Sequence, residues 1–279
     1  MSNFTIRTRI LFWIGILGTL AGMLTSRGVA ASDEREKGTY IISEANKVYG
    51  GKDQQSKLTF IIKEGNGEER KLIMRRAWKN YNGEKGIDSK VLIFQEYPPE
   101  TNGSSFMGWF YRPGSGKKNE AWLFIPLLKK IEQLPDANNR DEAFQDSDIK
   151  PSDMMVRPIN LDDHLFLREE TISNKIYEVV ESTPKEKDPS YPYSKVQSWI
   201  SKDQHLKEKM DYYDYEGRLQ KRQLISWKKV KNASIWEKVV TSNVISSNVT
   251  TLNISDIKID SGLEDSYFSQ RTMKSSAKK

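Results

Sequence analysis

The chain has 279 residues, with 44 Lys+Arg against 38 Asp+Glu, two histidines and no cysteine. The missing cysteine excludes disulfides, thiolate metal sites and a cysteine nucleophile. The net charge of +6 falls to +3 once residues 1–31 are set aside, because that segment holds three arginines and no acid. A balance this modest, spread over a charged surface, is not the footprint of a nucleic-acid-binding protein.

The N-terminus reads as an export signal. Arg7 and Arg9 precede an almost unbroken apolar run from Ile10 to Leu24, and Val29 and Ala31 stand at the spacing a signal peptidase reads. The expectation is cleavage after Ala31 and a periplasmic protein. The run is shorter than the roughly 20 residues a spanning helix needs, and an uncleaved N-terminal anchor is the alternative.

Thr39–Tyr49 places Ile41, Ile42, Ala45, Val48 and Tyr49 near one helical face and predicts a short amphipathic helix ended by Gly50-Gly51. The period then changes to two. Leu58, Phe60 and Ile62 alternate with Thr59, Ile61 and Lys63, Gly65-Asn66-Gly67 turns the chain, and Lys71–Lys79 returns. Val91–Tyr97 and Ser105–Arg112 are the next strands. Ala121–Leu134 reads as one more, with Pro126 at a bulge or an edge because proline cannot donate to the ladder.

The centre, Pro135–Arg157, is polar and acidic and has no strand period. It reads as a loop with one or two short helices, Pro151 near the first turn of the second. Strands resume at Leu165–Glu169, Lys175–Glu181, Tyr193–Asp203, Lys207–Tyr215, Arg218–Val230, Trp236–Val244 and Val249–Ile259. Glu264–Met273 is a short helical or irregular segment, and residues 274–279 are a disordered basic tail. About ten strands with short connections predict one antiparallel sheet that curls. The domain plan is a signal peptide over 1–31, a single β domain over 32–273, and the tail.

Chemistry is sparse. Asp162, Asp163 and His164 are adjacent, and adjacent strand residues face opposite ways, so they do not converge on a metal; a solvated turn before Leu165 is the plainer reading. There is no G-x-S-x-G elbow, Walker loop or G-x-G-x-x-G, and Gly114-Ser115-Gly116 sits between strands. No catalytic residue, cofactor or metal is expected. What remains is apolar and aromatic. Several strands are apolar on both faces, whereas antiparallel strands usually bury one. The extra face needs a second layer, a partner or a ligand.

From Ala121 onward the sequence resembles a known family. Trp122-Leu-Phe-Ile-Pro126, Leu128-Lys-Lys-Ile131, Phe144-x-x-Ser147-Asp148 and Asp153 follow in order, and Trp199-Ile200-x-Lys202 and Tyr213-Asp214-x-x-Gly217-x-Leu219 come later. This series is similar to the outer-membrane lipoprotein-sorting proteins of the LolA-like superfamily. Gln145-Asp146, Ile149 and Pro151-Ser152 depart from that pattern. The resemblance implies a mainly β (α+β) fold: a curved antiparallel sheet forming an incomplete barrel, its concave apolar face covered by short helices. It also implies a periplasmic carrier of lipid or lipoprotein acyl chains, in some cases working beside an inner-membrane RND-type transporter. A non-enzymatic accessory module of such an exporter is the alternative.

On that basis Leu58, Phe60, Ile62, Leu72, Met74, Trp109, Leu123 and Ile125 are expected to line one apolar cavity. Phe144, Ser147, Asp148, Met154 and Met155 belong to a lid lying across it, with Ser147 and Asp148 capping and tethering the lid rather than touching cargo.

Overall fold

Alternating apolar and polar residues put β1 (Asp53–Lys63) and β2 (Glu69–Asn80) into one hairpin, in which Phe60 lies opposite Leu72 and Leu58 opposite Met74. The computed structural model describes residues 17–112, 114–134, 147–187 and 191–275, with side chains from residue 32 onward apart from that of Pro151. The chain continues through β3 (Ile87–Tyr97), β4 (Ser105–Tyr111), β5 (Glu120–Ile125) and β6 (Lys130–Leu134). A second run comprises β7 (Asp162–Ile172), β8 (Lys175–Pro184), β9 (Lys195–Ser201), β10 (Lys207–Tyr213), β11 (Leu219–Val230), β12 (Ala233–Asn243) and β13 (Val249–Ile259). Among the described residues two α-helices flank the strands, α1 (Leu17–Asn46) and α2 (Gln270–Ser275).

Among the described residues thirteen strands form one sheet in the order β6-β5-β4-β3-β2-β1-β13-β12-β11-β10-β9-β8-β7. Within β1–β6 and within β7–β13 each neighbour in sequence is a neighbour in the sheet, and the pairing of β1 with β13 fuses these two meanders. The sheet is mostly antiparallel and does not close into a barrel; β6 and β7 are its two edges.

Register determines what each face carries, because directly paired residues share a face. One row of pairs runs Phe166–Val180–Ser198–Met210–Gln223–Thr241–Thr250–Ile62, from β7 to β1. We call this side face A. It holds Leu58, Phe60, Ile62, Leu72, Met74, Ile225, Val239, Leu252 and Ile254, packed as one cluster. Face B carries Ala77, Leu92, Phe94, Met107, Trp122 and Phe124, covered by Leu263, Phe268 and Met273 from the C-terminal segment. Both faces of β3–β5 are therefore apolar because each meets a different cover, as a two-sided apolar sheet requires.

Both covers are held by specific contacts. The Asp53 carboxylate accepts hydrogen bonds from the backbone of Ser261, Gly262 and Leu263, which aims the C-terminal segment across face B. Ser105 Oγ then donates to the Met273 carbonyl at 3.1 Å. On face A, Ile41 and Ile42 of α1 pack on Val180 and Ile200. Helix and strand touch at Gly38, where a Cβ would lie 2.7 Å from the Phe166 amide nitrogen and 2.9 Å from the His164 carbonyl.

Several elements differ from the sequence reading. The helix is not confined to 39–49; it spans Leu17–Asn46. Ala121–Leu134 is not one strand. Pro126 opens a short 3-10 turn, Lys129 takes a left-handed φ of 50°, and β5 and β6 fold back as a hairpin. A proline that starts a turn needs no donor, so neither a bulge nor an edge position is required. The described residues hold thirteen strands against the expected ten or so, and this split accounts for one of the difference. Among the described residues the centre contains 3-10 turns at Pro151–Met154 and Ile159–Leu161. Lys274 and Ser275, expected in the tail, end α2. Among the described residues no helix is long and apolar enough to cross a membrane.

Candidate ligand-handling face and its cover segment

The segment from Ser147 to Leu161 lies against face A. Its apolar contribution is Ile149, 1% exposed, together with Met154; both pack on the cluster of Leu58, Phe60, Ile62, Leu72 and Met74. These five strand residues are 0–4% exposed, so the segment fills the space above them. Leu123 and Ile125 lie further along face A and are half-buried. Leu123 pairs with Phe106, which pairs with Ile93 of the same cluster.

Trp109 does not belong to this set. It pairs with Lys90 and Glu120 on face B, packs edge-on against Trp122 at 5.3 Å, and carries the Lys90 ammonium 4.1 Å above its ring. Strand β4 (SFMGWFY) is aromatic on both faces, so alternation alone does not choose between Phe106 and Trp109. Met155, expected in the lid, is 47% exposed and turned away from the apolar cluster. Phe144 lies outside the described residues.

Polar contacts anchor the cover. The Asp148 amide donates to Thr250 Oγ1 at 3.1 Å, and Asn243 Nδ2 donates to Asp148 Oδ1 at 2.7 Å. Ser147 Oγ donates to the Ile149 carbonyl at 3.2 Å. Asp153 accepts from the Lys150 amide, from Tyr193 Oη at 2.9 Å and from Lys221 Nζ at 2.5 Å. Lys221 also donates to the Asp148 carbonyl and sits over the rings of Tyr193 and Tyr212. Burial pushes the Lys221 ammonium down, and Asp153 beside it offsets part of that. Burial and Asp153 together push the Tyr193 phenol well up, so it stays a neutral donor.

A second polar group borders the first. His164 is 5% exposed and sits inside β7. This corrects the expectation of a solvated turn. The strand starts at Asp162, and its row of paired side chains turns inward under α1. The Ile159 carbonyl can only accept, so His164 Nε2 donates to it at 3.0 Å and Nδ1 accepts from Ser182 Oγ at 2.8 Å. Burial lowers the His164 pKa, which keeps the ring neutral. Asp162 on the same face accepts from Arg157 Nε at 2.8 Å, while Asp163 is exposed. Among the described residues no three potential metal ligands converge. On the β2 side of face A, burial pushes the Arg76 guanidinium down to about 10, and its Nη2 donates to Gln54 Oε1 at 2.8 Å.

Two cavities open around this framework. One of about 70 Å³ lies between the end of α1, the cover segment and β7–β10, and includes Asn46, Ser152, His164 and Lys207 in its wall. Another, of about 310 Å³, lies near the β10–β11 end and is bordered by Lys175, Glu208, Trp227 and Lys228. Sequence reasoning missed Lys207, Lys221, Asp153 and Tyr193 as a group. They come from four separate segments, and no local pattern marks them.

One mostly antiparallel sheet left open at both edges, with a helix and an anchored cover on one face, is a LolA-like fold. The chain belongs to the DUF1329 family: the matching family model, described as an uncharacterized protein, spans residues 87–275. A DUF1329 family protein from Desulfovibrio piger is similar in structure, with 23% identity, a TM-score of 0.76, and coverage of 86% of this chain and 99% of that one. A putative outer membrane lipoprotein-sorting protein domain from Vibrio parahaemolyticus has 23% identity and a TM-score of 0.74, covering 86% and 99%. A LolA superfamily protein from Nitrosomonas europaea has 17% identity and a TM-score of 0.61, covering 84% and 98%. No curated protein matches the chain.

Proposed function

We propose that this protein is a non-enzymatic periplasmic carrier that shields lipid or lipoprotein acyl chains on face A and moves them toward the outer membrane, its leader being removed after Ala31. One observation carries the reading. The cover segment lays Ile149 and Met154 on the apolar residues of face A, yet polar tethers hold it in place rather than a continuous strand or helix. An acyl chain exposed in water costs on the order of 25 cal/mol per Å² of apolar surface. Exchanging the two cover side chains for such a chain keeps face A dry in both states. Weak, non-directional contacts suit a carrier, which has to release its load, and they explain why no catalytic constellation is needed. Leu58, Phe60, Ile62, Leu72 and Met74 form the floor, Leu123 and Ile125 extend it, and Ser147, Asp148 and Met154 belong to the movable cover.

The test combines two measurements. Native mass spectrometry of protein purified from an envelope fraction should find a co-purified lipid or acyl chain. Addition of a fluorescent fatty acid should then raise amide hydrogen exchange between residues 148 and 154. Absence of any bound chain, with exchange unchanged by the fatty acid, would overturn the carrier reading.

A second reading has its own support. Face A is already filled, and Leu127 and Leu128 at the β5–β6 turn are 91% and 60% exposed. Both features suit an accessory module that docks an RND-type exporter. That reading is favoured if cross-linking in envelopes captures such a transporter through the β5–β6 turn while no lipid is found.

A further inference from the structure

The 70 Å³ pocket on face A gathers polar and charged groups beside the apolar cluster. Its wall carries Asp153, Asp162, Arg157 and Lys207, and of these Lys207 has no direct ion-pair partner among the described residues. Asp153 is paired with Lys221, and Asp162 with Arg157 at 2.8 Å. Lys207 also lines the pocket. Its ammonium donates to Asn46 Oδ1 at 3.1 Å, and among the described residues it has no carboxylate within ion-pair distance. Asp153 and Asp162 are thus each committed to another cation, and Asp162 acts on Lys207 only from beyond ion-pair distance.

The remaining groups around Lys207 do not correct this. His164 is neutral and already bonded through both ring nitrogens. Tyr212 donates its phenol proton to Gln223 Oε1. Ser152 Oγ, in the same wall, is buried without a hydrogen-bond partner among the described residues. An ammonium short of a counterion and a hydroxyl short of an acceptor thus face one cavity. A water occupies roughly 10–15 Å³ on this measure of volume, so the cavity has room for several waters or one small oxyanion.

We propose that this pocket is an anion subsite, taking the phosphate or carboxylate head of an amphiphile whose chain lies along face A. The inference rests on the carrier reading and adds the head-group class to it. Continuity supports it: Met210 lines the pocket and also packs against the apolar cluster, and the turn that puts Met154 on that cluster puts Ser152 in the pocket. Burial pushes Lys207 down to about 8, with Asp162 opposing. An oxyanion would supply the missing negative charge.

Binding of dodecyl phosphate and of uncharged monolauroyl glycerol, both below their micelle concentrations, tests the proposal by calorimetry on the parent protein, Lys207→Met and Ser152→Ala. Inorganic phosphate is the third probe. The expected result is dodecyl phosphate bound about tenfold or more tightly than monolauroyl glycerol, as one charge-assisted contact warrants. Lys207→Met should abolish that preference, and Ser152→Ala should reduce it. Lys209→Met, which removes a lysine stacked over Trp199 on the other face, should leave it unchanged. Equal binding of both amphiphiles, insensitive to Lys207→Met, would overturn the anion subsite and leave the carrier reading standing. Lys207-dependent binding of inorganic phosphate, with neither amphiphile bound, would support the subsite for a free anion and overturn the carrier reading. No binding of any probe would overturn both.

Discussion

Asp153 and Lys221 meet at 2.5 Å with their side chains 0% and 3% exposed, although 68 residues separate them in sequence. One belongs to the cover segment and the other to β11, so the pair joins the cover to the sheet. Two charges taken from water are costly to separate, because the survivor stays buried without its partner. Lys221→Met or Asp153→Asn is therefore expected to destabilise the protein by about 3–5 kcal/mol. Thermal unfolding should show either variant melting some 6–20 °C lower, at about 2–4 °C per kcal/mol for a domain of this size. Hydrogen exchange in residues 148–154 should rise as well. Combining Asp153→Leu with Lys221→Met removes both charges at once, and should recover much of the loss in melting temperature.

Ile149→Ala removes the main apolar contact of the cover while leaving its tethers intact. The expected cost is about 2–5 kcal/mol, set by how far the site relaxes around the lost methylenes. If cover and acyl chain compete for face A, the same variant should bind a fluorescent fatty acid more tightly than the parent. Titration of the probe checks this; unchanged affinity would separate the cover from ligand access.

Phe60 is wholly buried between Leu72 and Leu252. Phe60→Glu is accordingly expected to misfold, since a carboxylate at a dry site is strongly penalised. Loss of the cooperative melting transition would show it. A folded Phe60→Glu protein would instead reveal a wet cavity above β1.

Lys207 carries the pH dependence most open to measurement. Its folded-state pKa, about 8, lies below the unfolded value of 10.5. The folded protein thus binds fewer protons than the unfolded chain between these values, and stability rises with pH there. The contribution is present above about 10.5 and lost as pH falls through 8. At pH 7 the charged lysine is a cost, so Lys207→Met should melt higher than the parent. The difference should shrink toward pH 10. A variant that melts lower at pH 7 would contradict the assigned environment.

The C-terminal segment covers the other face. Phe268, 1% exposed, packs on the cluster that contains Trp122 and Phe124. Phe268→Ala is expected to cost about 3–5 kcal/mol and to expose face B to a hydrophobic dye. Because β1 and β13 join both meanders, the unfolding transition should remain single. Two resolved transitions would show the halves to be independent.

Much of the fold is legible in local pattern. The two-residue alternation at Leu58–Ile62 and the Gly65-Asn66-Gly67 turn mark the first hairpin, and Asn66 Oδ1 does accept from the Glu68 amide at 2.9 Å. The ordered series around Trp122 and Trp199 points to the LolA-like fold, and strands apolar on both faces call for a second layer, a partner or a ligand, of which the structure shows a second cover. These signals survive in sequence because each depends on residues a few positions apart.

Tertiary structure alone decided the rest. Strand β4 is aromatic on both sides, so only its pairing with β3 and β5 sends Phe106 to face A and Trp109 to face B. His164 reads as solvated because its neighbours Asp162 and Asp163 are charged, yet α1 and Ser182 enclose it. No local pattern marks Lys207 or Lys221, and Asp153 stands out in sequence only through the family resemblance. Burial and distance give them their roles, and both are set by which strands the sheet brings beside the cover, something no local spacing encodes.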